Sequence, residues 1–263
     1  IVEYVMGRQS RMGTIGAFAN FMGKPFAFLG GFVGFVSTAI AFFYSVIVGW
    51  NIYYFGVITF TDLPQTNQAS LMLWSSFQDS LFPILFHGVA MTVGGLAIYK
   101  GVSSIEKVNK ILIPVLLGIV MLSVLRAISL PGSFEGISYL FTPDWSQLKR
   151  PGIWVDALAQ NAFDTGAGFG LFLTYAIYIK KRYGVVKNAF TTAIGNNLVS
   201  MLAAIMIFST VFSILGNEMG MQQSEILEIM KTSGPAATGL TFIWMPLLFA
   251  KMAFGKPLAI LFF

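Results

Sequence analysis

Five stretches of this sequence run for 15 to 37 residues with at most one charged side chain. They are Pro25 to Thr61, Ser80 to Tyr99, Ile111 to Leu125, Ala157 to Ile179 and Asn188 to Asn217. About 20 predominantly apolar residues carry a helix across the hydrocarbon core of a bilayer. In lipid a spanning segment must satisfy its own backbone, which restricts it to helices and closed barrels. The shortest run is lengthened by the aliphatic stem of Arg126, whose charged head reaches the interface. Charged residues make up only 10% of the chain and hydrophobic ones 56%, where a soluble domain carries about 25% charged residues. The chain reads as an all-α integral membrane protein.

The same composition excludes several classes. There is no cysteine, so no disulfide framework or thiolate metal site exists. The net charge of +5 is spread over loops, with no basic patch suited to nucleic acid. No nucleophile–base pair or metal motif points to an enzyme. His87, the single histidine, has no nearby acid or thiol in sequence and is assigned to packing. Trp50, Tyr53, Tyr54 and Phe55 read as an interfacial aromatic belt.

The chain opens at Ile1 without an initiator Met and closes inside the apolar PLAILFF. It is therefore expected to be an internal fragment, with residues 1–263 forming one incomplete transmembrane domain. Five whole spans and the tails of two others are expected, the last beginning near Pro257. The uncharged stretch Thr232 to Ala250 is interrupted by Gly234, Pro235, Gly239 and Pro246. That pattern predicts short helices in a re-entrant loop. Lys and Arg concentrate in loops near 8–24, 100–110 and 180–187, which predicts that these face the cytoplasm of a multi-pass protein in the cell membrane.

Asp164 is the one charge inside Ala157 to Ile179, and Gly166, Gly168 and Gly170 follow it. An acid at bilayer depth costs several kcal/mol and usually faces a cavity, an ion or a partner. The glycines lower helix propensity just there, so a broken helix is expected over 157–179. Gln160 lies one turn before Asp164 on the same face. In the next span Asn196 and Ser200 share the same spacing and offer neutral oxygens. With the carboxylate they suit sodium, a hard cation. From residue types alone, plain interhelical hydrogen bonding is the slightly better account of Asn196 and Ser200. Tyr44 lies mid-span and needs a partner for its hydroxyl, either a ligand carboxylate or, more simply, a backbone carbonyl.

Several segments in order resemble the neurotransmitter:sodium symporter family, particularly its bacterial members. They are EYVMGR at 3–8, SSIEKVNKILIPVLL at 103–117, SLPGSFEGISYLFTPDWSQL at 129–148, WVDALAQNAFDTGAGFGLFLTYAIY at 154–178 and SGPAATGLTFIWMP at 233–246. The resemblance implies the LeuT-type fold, an inverted-repeat bundle with broken helices at mid-membrane. The chain then covers the end of the family's second helix to the start of its eighth, with Asp164 on the sixth. It implies that Tyr44 holds the substrate carboxylate and pairs with Phe163 as an aromatic lid. Ile40, Gly166 and Phe169 would line the substrate pocket. Asn196 would bind sodium, Gln160 and Ser200 would occupy chloride-site positions, and Tyr178 would stand at the cytoplasmic gate.

Common members carry Thr or Ser where this chain has Asp164. A fixed carboxylate there supplies the negative charge that chloride supplies elsewhere, so the expectation is sodium-coupled symport of an amino acid or related amine, independent of chloride. A proton-coupled transporter and a non-transporting sensor on the same fold are the alternatives. Gly166 and Ile40 suggest a hydrophobic or aromatic side chain on the substrate. Expected partners are that small molecule and the lipid bilayer, with a homodimer left open. The family's first helix and most of its eighth lie outside these residues, so the segment alone is not expected to transport.

Overall fold

The computed structural model describes residues 1–99, 102–180, 184–232 and 239–263. In chain order the helices are α1 (Val2–Ser10), α2 (Thr14–Met22), α3 (Ala27–Phe60), α4 (Asn67–Gln78), α5 (Phe82–Ile98), α6 (Val102–Ile128) and α7 (Ser133–Phe141). They continue with α8 (Pro151–Thr165), α9 (Leu171–Ala176), α10 (Val185–Val211), α11 (Gln223–Thr232), α12 (Gly239–Ala250) and α13 (Gly255–Phe262). Short 3-10 turns precede α3 and α8, and α10 runs on into a π-turn over Phe212–Glu218.

Lys24–Phe60, Ile105–Ile128 and Val185–Glu218 are long and apolar enough to cross a membrane, and α4 with α5, bent by 74°, would make a fourth span. The chain is a multi-pass membrane protein. Ser80 to Tyr99 becomes the 17-residue α5, bent away from α4, and Ala157 to Ile179 is broken between α8 and α9, as expected. Pro246 lies inside α12 without ending it. Lys100, Lys181, Arg182 and the 233–238 part of the expected re-entrant loop lie outside the described residues.

The helices form two compact units, each assembled from two stretches of sequence. The first, residues 1–44 and 144–201, holds α1, α2, α8, α9 and the leading parts of α3 and α10. In it α1 lies directly against α9: a Cβ on Gly7 would come within 2.9 Å of the Ala176 Cβ and overlap the Leu173 carbonyl.

The second unit, residues 45–143 and 202–263, has an aromatic core. Trp50, Tyr54, Trp74, Phe77 and Phe242 are all buried, with Trp50 against Trp74 at 5.2 Å and Tyr54 against Phe242 at 5.0 Å between ring centroids. This corrects the belt assignment. Trp50 is 7% exposed and Tyr54 0%, because α4 and α12 cover that face of α3; Phe55 alone of the four is fully on the surface. A buried Ser70 hydroxyl donates to the Ile243 carbonyl at 2.6 Å and ties α4 to α12. Arg126 does more than reach for an interface, since its Nε and Nη2 donate to the Lys251 carbonyl at 3.0 and 2.7 Å, and Lys251 Nζ pairs with Glu218. His87 Nε2 lies 2.9 Å from Ser45 Oγ, which agrees with a structural role.

One turn from Ser45, a Cβ on Gly49 would lie 2.8 Å from the backbone of Phe86 and His87. The backbones of α3 and α5 therefore meet at Gly49. Gly49→Val in the intact protein is expected to cost about 1–3 kcal/mol, the usual penalty of overpacking. Thermal unfolding in detergent reads this, and an unchanged melting temperature would contradict the close approach.

Candidate functional site

The site lies in the first unit, where α8 stops. Gly166, Gly168 and Gly170 have φ of 68°, 87° and 75°, a left-handed region that costs a residue with a side chain about 1–2 kcal/mol. Three such residues within five end α8 at Thr165 and delay α9 until Leu171. Helix ends leave amides and carbonyls without internal partners, and side chains from elsewhere supply them. The Glu3 carboxylate on α1 accepts from the Gly168 amide at 2.5 Å and from the Leu173 amide at 3.2 Å. Ser37 on α3 donates its hydroxyl to the Phe169 carbonyl and also has the Val33 carbonyl within 3.1 Å.

Asp164 stands at the last turn of α8, half-buried. Asn196 Nδ2 donates to its Oδ2 at 2.6 Å, and Ser200 Oγ lies 2.9 and 2.8 Å from its two oxygens. The i, i+4 spacing of Asn196 and Ser200 places both on the face of α10 that meets the carboxylate. Hydrogen bonds to a charged acceptor contribute about 1.5–3 kcal/mol each. Among the described residues no Lys or Arg forms an ion pair with Asp164. Gln160 is exposed, and among the described residues no hydrogen bond joins it to this cluster; the donors on α10 converge one turn later along α8.

Aromatic rings gather beside the same break. Tyr44 stacks on Phe163 at 6.1 Å with 14° between planes, and Phe169 meets Phe163 edge-on at 6.4 Å. Phe43 joins both members of the stacked pair, at 5.7 Å from Tyr44 and 6.3 Å from Phe163. Ile40, one turn before Tyr44 on α3, is half-buried, and Gly166 is the residue that turns the chain out of α8. Tyr178 lies just past α9 and is exposed, with its amide bonded to the Tyr175 carbonyl. A cavity of about 560 Å³ opens next to the break, lined by Glu3, Tyr4, Asn161, Thr165, Thr192 and Ala193 among others.

Sequence reasoning did not single out Glu3, Ser37 or Phe43 for the site. Glu3 had a usable signal, as the acid that opens EYVMGR. Ser37 had none, being one small polar residue in a long apolar helix.

A membrane helix broken at glycines, with side chains holding the freed backbone groups and an acid beside the gap, is the hallmark of discontinuous-helix transporter folds. The solved structure of MhsT in complex with L-phenylalanine superposes with a TM-score of 0.85 at 28% identity, covering 99% of this chain and 56% of that one. The fold is therefore of the LeuT type. The model of the sodium:neurotransmitter symporter family matches residues 80–263, and the chain belongs to that family. An uncharacterized sodium-dependent transporter of Methanocaldococcus jannaschii is 31% identical over 195 residues, 70% of this chain and 38% of the relative. Another, from Haemophilus influenzae, is 28% identical over 277 residues, covering 100% of this chain and 57% of its own length. The chain spans about half the length of the curated relatives it matches.

Glu3 makes the break affordable only while it offers two acceptor oxygens. Glu3→Leu, which strands the Gly168 and Leu173 amides, is expected to cost about 1–3 kcal/mol per unpaired group, and Glu3→Gln less. Melting temperatures of the two variants in detergent, compared with the unchanged protein, check the order.

Proposed function

We propose that the intact protein is a sodium-coupled symporter of an amino acid or related amine that works by alternating access and needs no chloride. The observation that carries this reading is Asp164: a carboxylate at a helix break, bonded to Asn196 and Ser200, with no cation of the described chain paired to it. A carboxylate removed from water calls for a positive partner, and sodium beside the Asn196 oxygen answers that need with oxygen ligands alone. In this reading Asp164 and Asn196 serve sodium. Asp164, bonded to Ser200 and one turn after Gln160, stands in for chloride.

The substrate carboxylate would rest against Tyr44, with Phe163 stacked over it as the lid. Phe169, Ile40 and Gly166 would surround the side chain, which we assign to a hydrophobic or aromatic amino acid. The phenylalanine complex of MhsT supports that class. Tyr178, exposed at the far end of α9, is read as part of the cytoplasmic gate. We read 1–263 as part of a single transporter domain in the cell membrane, with the loops near 8–24, 100–110 and 180–187 on the cytoplasmic side.

Uptake of radiolabelled hydrophobic amino acids into proteoliposomes tests this. The intact protein is expected to transport in sodium gluconate as well as in sodium chloride. Asp164→Ser should lose most uptake without chloride and recover part of it when chloride is added. An absolute chloride requirement of the unchanged protein would sink the chloride-independent reading, and sodium-independent uptake that follows a proton gradient would sink the sodium reading.

A further inference from the structure

α1 grips α9 along one face through Glu3, Gly7 and Arg11, which recur every four residues. Glu3 holds the amide end of α9 and Gly7 lets the two backbones touch. Arg11 reaches the carbonyl end, where Nη2 donates to the Ile179 carbonyl at 2.8 Å and Nη1 to the Ile177 carbonyl. Those two carbonyls flank Tyr178 and lie past the last helical turn, where no later amide of α9 can bond them. Arg11 itself is held in a left-handed conformation with φ 55°, and its amide closes α1 onto the Gly7 carbonyl at 3.0 Å. Arg11 and Phe254 are the residues other than glycine with positive φ among those described. Such a backbone is unfavourable for a side chain bearing Cβ, and here it aims the guanidinium at the end of α9. The planar fork of Arg supplies two donors at fixed spacing; the ammonium of Lys is a single charged point.

We propose that Arg11 is the positioning residue of the cytoplasmic gate: by holding the carbonyls on both sides of Tyr178 it keeps the end of α9 closed, and opening requires its release. This rests on the reading of Tyr178 as a gate residue. It makes two demands that a simple stabilising cap does not. Loss of the fork must shift the balance between inward-closed and inward-open forms, and a lysine that keeps the charge must not restore that balance fully.

The test uses a thiol reporter, since residues 1–263 contain no cysteine. Ala193→Cys places it on the wall of the cavity beside the break. In the intact protein, a membrane-impermeant maleimide is applied from the cytoplasmic side of inside-out vesicles in sodium. Arg11→Ala is expected to speed labelling about three- to tenfold, a population shift within reach of one lost contact. Tyr178→Ala should do the same, and Arg11→Lys should fall between Arg11→Ala and the unchanged protein. Sodium-dependent substrate binding reports that each variant is folded. If Tyr178→Ala speeds labelling and Arg11→Ala does not, the proposal is overturned and the gate reading stands. If neither does, while removal of sodium still speeds labelling, the gate reading fails and the proposal with it. Should Arg11→Ala yield no protein, Arg11→Lys decides: labelling at the unchanged rate overturns the proposal.

Discussion

A helix that stops inside a membrane releases amides and carbonyls that lipid cannot satisfy, and the first unit is organised around that demand. Three glycines in left-handed conformations make the stop, and every neighbour of consequence answers it. Glu3 takes two amides, Ser37 takes a carbonyl, and Arg11 takes the two carbonyls beyond the far end of α9. Asp164 and the Tyr44–Phe163 stack sit at the same stop. These side chains thus gather where the backbone is already open, and the partners that make the break tolerable also fix its geometry.

Asp164 could be found in the sequence because a lone acid in an apolar run has few innocent explanations, and the glycines after it marked where the helix gives way. Asn196 and Ser200 could be paired with it because i, i+4 spacing fixes a face without any tertiary information. Gln160 shows the limit of that reasoning: the same spacing put it on the right face of α8 but one turn from the donors. Glu3, Ser37 and Arg11 act on residues more than 130 positions away, and no local pattern encodes such a partner. Family resemblance carried Tyr44 and Phe163, whose residue types alone fit packing as well.

Trp50 and Tyr54 on α3 escape a reading of the sequence for a related reason. Trp50 and Tyr54 near the end of an apolar helix look alike whether they meet lipid headgroups or other side chains. The structure sets them among Trp74, Phe77 and Phe242, so the C-terminal part of α3 is a core element of the second unit. Its boundary with the first unit falls between Tyr44 and Ser45. One continuous helix therefore contributes Tyr44 to one unit and packing residues to the other.

The π-turn over Phe212–Glu218 resets the directions of the side chains that follow α10. Four consecutive residues there, Phe212 to Leu215, are buried, which a regular helix with one apolar face does not arrange. The amide of Met219 bonds back five residues to Ile214, so the turn accommodates one residue more than an α-helical turn would. Each residue advances a helix by about 100°, and side chains after Val211 are rotated by roughly that step from where an ideal helix would put them. A regular α-helix of the same residues would therefore point the side chains from Phe212 onward in other directions.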